Sequence, residues 1–484
     1  MSLLLLPKIL LLSTLSFLLG GQPLAAEPEN GTGLSLGREF KYKPGLNRGD
    51  FLKRRDLLRI RHLNAPDDDA VSLEYGRKLF ETGDFAKAEA VLRSLPGGVG
   101  YSAESMLIAA DLEYGRGRYD EAAKLYEKAY DISSGENRAA AGKGLVLTYY
   151  QSGQYEKGGQ VAIFPDDVGY LRDMMKSFGS RKPFQIEWKE KIQVEVPFLL
   201  AGNRHLPIVA LKVNGQAVNV IIDTGCDSFD LDEAIAEAAG IEAGVRMTGR
   251  FAGGKTADLV YGLADRIELG GLEIKSVPVS VSQIDWEYED EAGSGKINIG
   301  GIIGTGIFKR FLTTLDYPGE RLILRPQGQS GLARFRESLP MGTKAVEMPF
   351  IMADTHFMLA KGVINGRKGL NMFLDSGLED PEASILLEKE TLGYAGIDIP
   401  VKDIVTPEGQ GGLGGGGFSV GVFKVDDFYL GPLHQQNLSG LYGIIPADIY
   451  FGSGLIIDGI ISHNFLKKYS WTIDFESMTM IFSQ

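Results

Sequence analysis

Two hydrophobic periods divide this chain. Between about residues 70 and 161 the apolar positions are punctuated by a recurring turn. Gly83-Asp84-Phe85 is followed by Ala88 and Leu92, Gly117-Arg118-Tyr119 by Ala122 and Tyr126, and Gly153-Gln154-Tyr155 by Gly158. The three glycines are 34 and 36 positions apart. That spacing predicts paired helices, in which each glycine ends one helix, the aromatic starts the next, and the small residue allows a close crossing. Further on, the runs become β-branched and short. Ile192–Leu200, Ile208–Val213 and Val218–Ile222 are separated by turn residues, as an all-β region requires.

The third of these runs ends in a carboxylate, a hydroxyl and a glycine, Asn219-Val220-Ile221-Ile222-Asp223-Thr224-Gly225, and a second version, Met372-Phe373-Leu374-Asp375-Ser376-Gly377, lies downstream. A lone Asp-Thr-Gly is a common strand-end turn, so the flanks carry the signal. An Asn-Gly hairpin turn precedes each copy, Asn214-Gly215 and Asn365-Gly366. A closing segment follows each: Gly301-Ile302-Ile303-Gly304 with Thr314-Leu315-Asp316-Tyr317, and Gly459-Ile460-Ile461-Ser462 with Thr472-Ile473-Asp474-Phe475. The interval from Asp223 to Asp316 is 93 positions and that from Asp375 to Asp474 is 99, which marks a tandem duplication.

These residues resemble the retropepsin and pepsin group of aspartic proteases over about Phe184 to Gln484, and the helical repeats resemble the tetratricopeptide family over about Ala70 to Val161. The expected fold is multidomain α + β, with N-terminal helical repeats followed by two all-β retropepsin-like lobes. The expected divisions are an export signal at 1–26, a linker carrying a basic helix at 27–66, helical repeats at 67–163, a connector at 164–186, lobe 1 at 187–328, a linker at 329–343 and lobe 2 at 344–484. The resemblance implies an aspartic endopeptidase whose dyad is Asp223 and Asp375, one from each lobe. Thr224, Gly225, Ser376 and Gly377 would hold the two turns, the hydroxyls bonding across the interface. The chemistry needs both carboxyls, since hydrolysis without a metal or an enzyme nucleophile requires one group to take a proton from water and another to give one to the carbonyl oxygen.

Gly249-Arg250-Phe251-Ala252-Gly253-Gly254-Lys255-Thr256 matches the phosphate-binding pattern G-x-x-x-x-G-K-[ST]. Its setting within a β-rich repeat argues for a glycine-rich flap instead, with Gly253 and Gly254 binding an extended substrate by strand addition. Gly409 to Gly417 stands at the comparable distance in the second copy, as a longer flap or a flexible loop.

The apolar content of 44% leaves ample material for cores. The net charge of −13 argues against nucleic acid as a partner. Lys8, the apolar run Ile9 to Leu19, and Leu24-Ala25-Ala26 predict a cleaved export signal, the alternative being an uncleaved anchor; after cleavage no stable membrane span is expected. From Phe51 to Leu63 a basic amphipathic helix carries Lys53, Arg54, Arg55, Arg59 and Arg61, either packed on the next domain or touching an anionic membrane. Cys226, the single cysteine, excludes an internal disulfide, and no base for a thiol nucleophile is identifiable near it. His205, His356, His434 and His463 lack ligand spacing, so neither metal nor cofactor is expected. The expected partners are a polypeptide substrate and a protein on the helical surface, although the helices could equally be a spacer stacked on the lobes. Two departures from the family pattern, Leu378 where a small residue is usual and Ser462 opposite Gly304, keep a catalytically silent peptide-binding protein or a helical scaffold in view.

Overall fold

The structure is a computed structural model that describes residues 17–18, 48–163, 168–189, 192–199, 206–242, 244–250, 256–284, 286–289, 296–380, 383–398, 420–443 and 454–484. Among the described residues, eight α-helices precede the main body of strands: α1 (Arg48–Asn64), α2 (Asp69–Glu81), α3 (Phe85–Ser94), α4 (Ala103–Gly115), α5 (Tyr119–Ile132), α6 (Gly135–Gln151), α7 (Tyr155–Gly158) and α8 (Gly169–Ser177). Gly83, Gly117 and Gly153 end α2, α4 and α6 with φ of 79°, 73° and 72°, the left-handed conformation in which glycine lacks the Cβ penalty. Ala88 and Ala122 are fully buried where the helices of each pair cross.

Those same turns meet the β body. A side chain at Gly83 would run into Lys361 and Asn371, one at Gly117 into Met478, and one at Gly153 would lie near Arg310. The repeats therefore stack on the lobes along their turn edge. One apolar cluster joins Leu58, Leu79 and Leu112 of the helices to Phe357, Leu378 and Leu386 of lobe 2. The expected connector at 164–186 is more than a tether: α8 buries Leu171, Met174 and Met175, and Gln185–Trp188 is already an edge strand of lobe 1. The expected linker at 329–343 likewise contains a helix, Gln329–Ser338, because Phe335 has a pocket to fill beside Leu312 and Ile481.

Each lobe is built around a hairpin whose turn is Asn-Gly with both residues at positive φ, 48° and 93° at Asn214-Gly215 and 47° and 77° at Asn365-Gly366. This geometry matches the right-handed twist of the strands it joins. In lobe 1 the order across the sheet is Phe17–Leu18, Arg246–Arg250, Thr256–Leu269, Ile208–Val213, Gln216–Ile222, Gly301–Ile303, Phe229–Asp232, Leu272–Ser282, Gln185–Trp188, and pairing of Thr256–Leu269 with Leu272–Ser282 curls it into a barrel. In lobe 2 it is Ile351–Ala353, Phe357–Ile364, Arg367–Leu374, Gly459–Ile461, Ala383–Glu388, Leu433–Gly443, Val420–Leu430, closed by pairing of the last strand with Phe357–Ile364.

A third sheet of six strands joins the lobes. The closing hairpin of lobe 1, Leu312–Asp316 and Arg321–Arg325, lies beside that of lobe 2, Ser470–Asp474 and Thr479–Ser483, with Ala345–Pro349 and Val194–Pro197 outside them. Leu312–Asp316 and Ser470–Asp474 run antiparallel, with Thr314 opposite Thr472 and their hydroxyls 2.7 Å apart. The two halves of the duplication thus meet about a local two-fold axis at this threonine pair.

Candidate active site

The same local construction delivers each carboxyl. Val220, Ile221 and Ile222 pair in parallel with Gly301, Ile302 and Ile303, and Met372, Phe373 and Leu374 pair with Gly459, Ile460 and Ile461. The last bond of each ladder comes from the Asp itself, whose N–H donates to the neighbouring strand: Asp223 to Ile303 O at 3.1 Å, and Asp375 to Ile461 O at 3.0 Å. Beyond that point the chain turns through Thr224-Gly225 or Ser376-Gly377.

Four hydrogen bonds lock the turns to one another. The Thr224 N–H donates to Ser376 Oγ and the Ser376 N–H to Thr224 Oγ1, both at 2.9 Å. The hydroxyls in turn donate across the interface, Thr224 Oγ1 to Leu374 O at 3.0 Å and Ser376 Oγ to Ile222 O at 3.1 Å. All the groups involved are buried, so each donor and acceptor needs this partner. The glycines allow the approach: a Cβ on Gly225 would stand 2.6 Å from the Asp375 carboxylate oxygens, and one on Gly377 would stand 2.2 Å from Asp223 Cγ.

Each carboxylate accepts the N–H two residues on, Gly225 to Asp223 Oδ1 at 2.7 Å and Gly377 to Asp375 Oδ1 at 2.8 Å. Burial, then the adjacent Asp223 charge, pushes the Asp375 carboxyl well above the usual carboxylate range. Like charges so placed disfavour ionisation of both carboxyls at once, so the pair titrates as one unit.

The surroundings of the two loops differ. In lobe 1 the loop backs onto a third buried carboxyl, Asp230, which accepts from Cys226 Sγ at 3.2 Å and from Ser228 Oγ at 2.8 Å. Burial raises Asp230 to about 6. Asp227 faces Lys309 at 3.5 Å, and Lys309 also donates to Gln151 Oε1 of α6 at 2.6 Å. Burial lowers Lys309 to about 8. Gln151 Nε2 donates onward to Thr355 O of lobe 2 at 2.8 Å, so one helix residue bridges both lobes. In lobe 2 the Leu378 side chain is buried in apolar surroundings, while its N–H donates to Asp375 Oδ1 at 3.1 Å and its carbonyl accepts from His463 N at 3.0 Å. Ser462 donates its hydroxyl to Ala383 O at 2.6 Å. Across the mouth, Tyr288 of lobe 1 donates to Glu379 Oε2 of lobe 2 at 2.9 Å, and burial lifts Glu379 to about 7.

Asp223, Thr224, Gly225, Asp375, Ser376 and Gly377 are thus brought into one constellation. Gly253, Gly254 and Gly409 to Gly417 lie outside the described residues, as do His205 and all of the expected signal except Phe17 and Leu18. What flanks Gly253 is a hairpin: Gly249 pairs with Ala257 and Arg250 with Thr256, antiparallel. A nucleotide-binding loop joins a strand to a helix, so the phosphate-binding pattern is not realised. Asp230, Lys309, Gln151, Tyr288 and Glu379 were not singled out by sequence. Asp230 alone left a local trace, as the third acid of Asp223-Thr224-Gly225-Cys226-Asp227-Ser228-Phe229-Asp230.

A family model described as Aspartyl protease matches residues 209–307, which span the Asp223 loop and the Gly301–Ile303 strand of lobe 1. Among solved structures, a retropepsin-like aspartic protease from Rickettsia conorii is similar at 12% identity, covering 30% of this chain and 96% of that one, with a TM-score of 0.21. Basic 7S globulin from soybean is similar at 10% identity, covering 60% of this chain and 94% of that one, with a TM-score of 0.32. No curated protein matches the sequence significantly. The β lobes have an aspartic-protease-like fold.

Proposed function

We propose that this chain is an exported aspartic endopeptidase that hydrolyses peptide bonds with water activated between Asp223 and Asp375. The observation that carries this reading is the reciprocal bonding of Thr224 and Ser376, which brings two buried carboxyls together at the lobe interface. Burying a carboxyl is costly, and two of them brought into one constellation support a chemical use for the pair. The two carboxyls share one proton and act as base and acid by turns: the protonated one polarises the scissile carbonyl while the other takes a proton from water, and a proton is later returned to the leaving amine.

A silent peptide-binding protein is the second reading, suggested by Leu378 and Ser462. Two contacts weigh against it. Leu378 supports Asp375 through its backbone N–H, and Ser462 satisfies its hydroxyl on Ala383, so neither departure perturbs the turn. The helical hairpins have the spacing of tetratricopeptide repeats, and we read them as such an array, with its turn edge committed to the chain's own lobes.

The test incubates purified protein with a mixed peptide library from acidic to neutral pH, with and without a statine-type inhibitor. Inhibitor-sensitive cleavage supports the proposal, and tight inhibitor binding without cleavage favours the silent reading. For export, mass spectrometry of secreted protein should find Glu27 at the N-terminus; a chain beginning at Met1 overturns the cleavage expectation.

A further inference from the structure

Helix α1 has no role in the proposed hydrolysis, yet its rotation on the body is firmly set. Arg48 is buried and donates to both oxygens of Asp458 at 2.7 and 2.5 Å. Leu58 is buried, Arg55 reaches Asp84 at 2.8 Å, and His62 Nδ1 lies 2.7 Å from Ser72 Oγ. At about 100° per residue, these anchors turn the opposite arc of the helix to solvent. That arc carries Leu57, Ile60 and Leu63, which are 62%, 50% and 64% exposed. Single exposed leucines are ordinary. Three large aliphatics aligned on one helical arc are a surface with a use.

The charges around them supply the identity of what covers it. Lys53 lies on the same arc, with Arg54 and Arg61 along one margin and Arg59 along the other, all exposed. The acid on the arc, Asp56, faces Arg55 at 3.3 Å. Lys53 and Arg54 make exposed pairs with Asp50 and Glu74, which hold weakly against a competing anion. With six basic and two acidic residues α1 carries +4, against −13 for the whole chain, so the remainder stands at −17. Attraction to anions is therefore concentrated on the helix that also exposes the aliphatics.

We propose that this face of α1 docks on an anionic lipid surface, with Leu57, Ile60 and Leu63 in the acyl boundary and Lys53, Arg54, Arg59 and Arg61 at the headgroups. A second copy of the chain would set +4 against +4, which disfavours self-association through this face. The helix lies along the interface, since no helix among the described residues is long and apolar enough to cross a membrane.

The test is sedimentation of the full chain with vesicles of phosphatidylcholine alone and of equimolar phosphatidylglycerol and phosphatidylcholine. The quantity read is the increment that phosphatidylglycerol adds, which separates α1 from any charge-independent binding by the N-terminal apolar run. That increment should fall about tenfold or more in the variant Arg59→Glu/Arg61→Glu and in Leu57→Ser/Ile60→Ser/Leu63→Ser, and it should shrink as salt is raised. All five positions are exposed, so peptide cleavage should be unchanged. No increment for the wild type, or one that survives both variants, overturns the proposal. A wild-type dimer that becomes monomeric in the serine variant also overturns it, by giving the face to a second copy.

Discussion

The two Asp loops share the strand, the glycine and the hydroxyl that hold each carboxyl, and they differ in what stands behind them. Both end a parallel-paired strand, both accept an N–H from a glycine two residues on, and both cross-bond through a hydroxyl. Behind the first stand Cys226, Ser228 and the carboxyl of Asp230. Behind the second is the side chain of Leu378, and Leu386, the register counterpart of Asp230, is packed with helix residues. What the duplication has kept is the geometry of proton transfer, while the support of each loop has adapted to its own neighbours. The Asp223 loop meets the helices through Lys309 and Gln151, whereas Leu378 beside Asp375 lies in an apolar cluster shared with the helices.

The largest effect should come from the shared part. Asp223→Asn and Asp375→Asn should each lower kcat by several orders of magnitude, with the double variant little worse, because one shared proton has no function with either partner gone. Single-turnover kinetics on both variants would show whether the loops act as one unit; near-normal turnover in either would break the symmetry of the comparison.

The next largest should follow from the glycines. Gly225→Ala puts a methyl against the Asp375 oxygens and Gly377→Ala puts one against Asp223, so each variant damages the carboxyl of the opposite lobe. Losses of about 10²-fold or more in kcat/KM are expected from both, given how steeply rate falls with misplacement of reacting groups. A large loss in one and none in the other would mean that the lobes are not held as closely as the hydroxyl bonds imply.

Asp230 sharpens the difference between the lobes. Its folded pKa of about 6 lies above the ordinary carboxylate value, so the stability it contributes is complete in acid and is lost as pH rises through about 6. A shift of about two units corresponds to about 2 to 3 kcal/mol between pH 4 and pH 7. Asp230→Asn, neutral throughout, should therefore gain on the wild type by about that amount as pH rises over this range. Chemical denaturation at several pH values would show it, and parallel stability curves would remove Asp230 from the account.

How much of this the sequence disclosed depends on the range of the interaction. The Asp223 and Asp375 motifs are legible because everything that makes them, strand, turn and glycine, lies within a few residues, and because the chain repeats it. The helix boundaries at Gly83, Gly117 and Gly153 are local in the same way. Lys309 and Gln151 are 158 positions apart, and no local pattern says that α6 will lie against the Asp223 loop. Glu379 and Tyr288 are in different lobes, and only the packing of those lobes makes their contact. The stretch that forms the helix Gln329–Ser338 carries no motif, and its burial of Phe335 depends on a strand that arrives about 150 residues later. The departure at Leu378 keeps a silent protein in view from sequence, because no local pattern says that its backbone N–H will reach Asp375 Oδ1.

The smallest expected effect concerns the residue that most tempts a different chemistry. Cys226 is fully buried, and its thiol donates to Asp230 Oδ2 at 3.2 Å. A nucleophile needs a base that takes its proton; the acceptor of this thiol, Asp230, also accepts from Ser228 and is itself raised by burial to about 6. Serine can donate the same hydrogen bond with a shorter reach, so Cys226→Ser should cost about 1 kcal/mol of stability and leave most of kcat in place. Thiol-alkylating reagents should likewise leave the native protein active. Steady-state assays of Cys226→Ser beside Asp375→Asn decide the matter: if the serine variant were dead while the asparagine variant turned over normally, the thiol would be the nucleophile and the loop of lobe 1 would be a site in its own right.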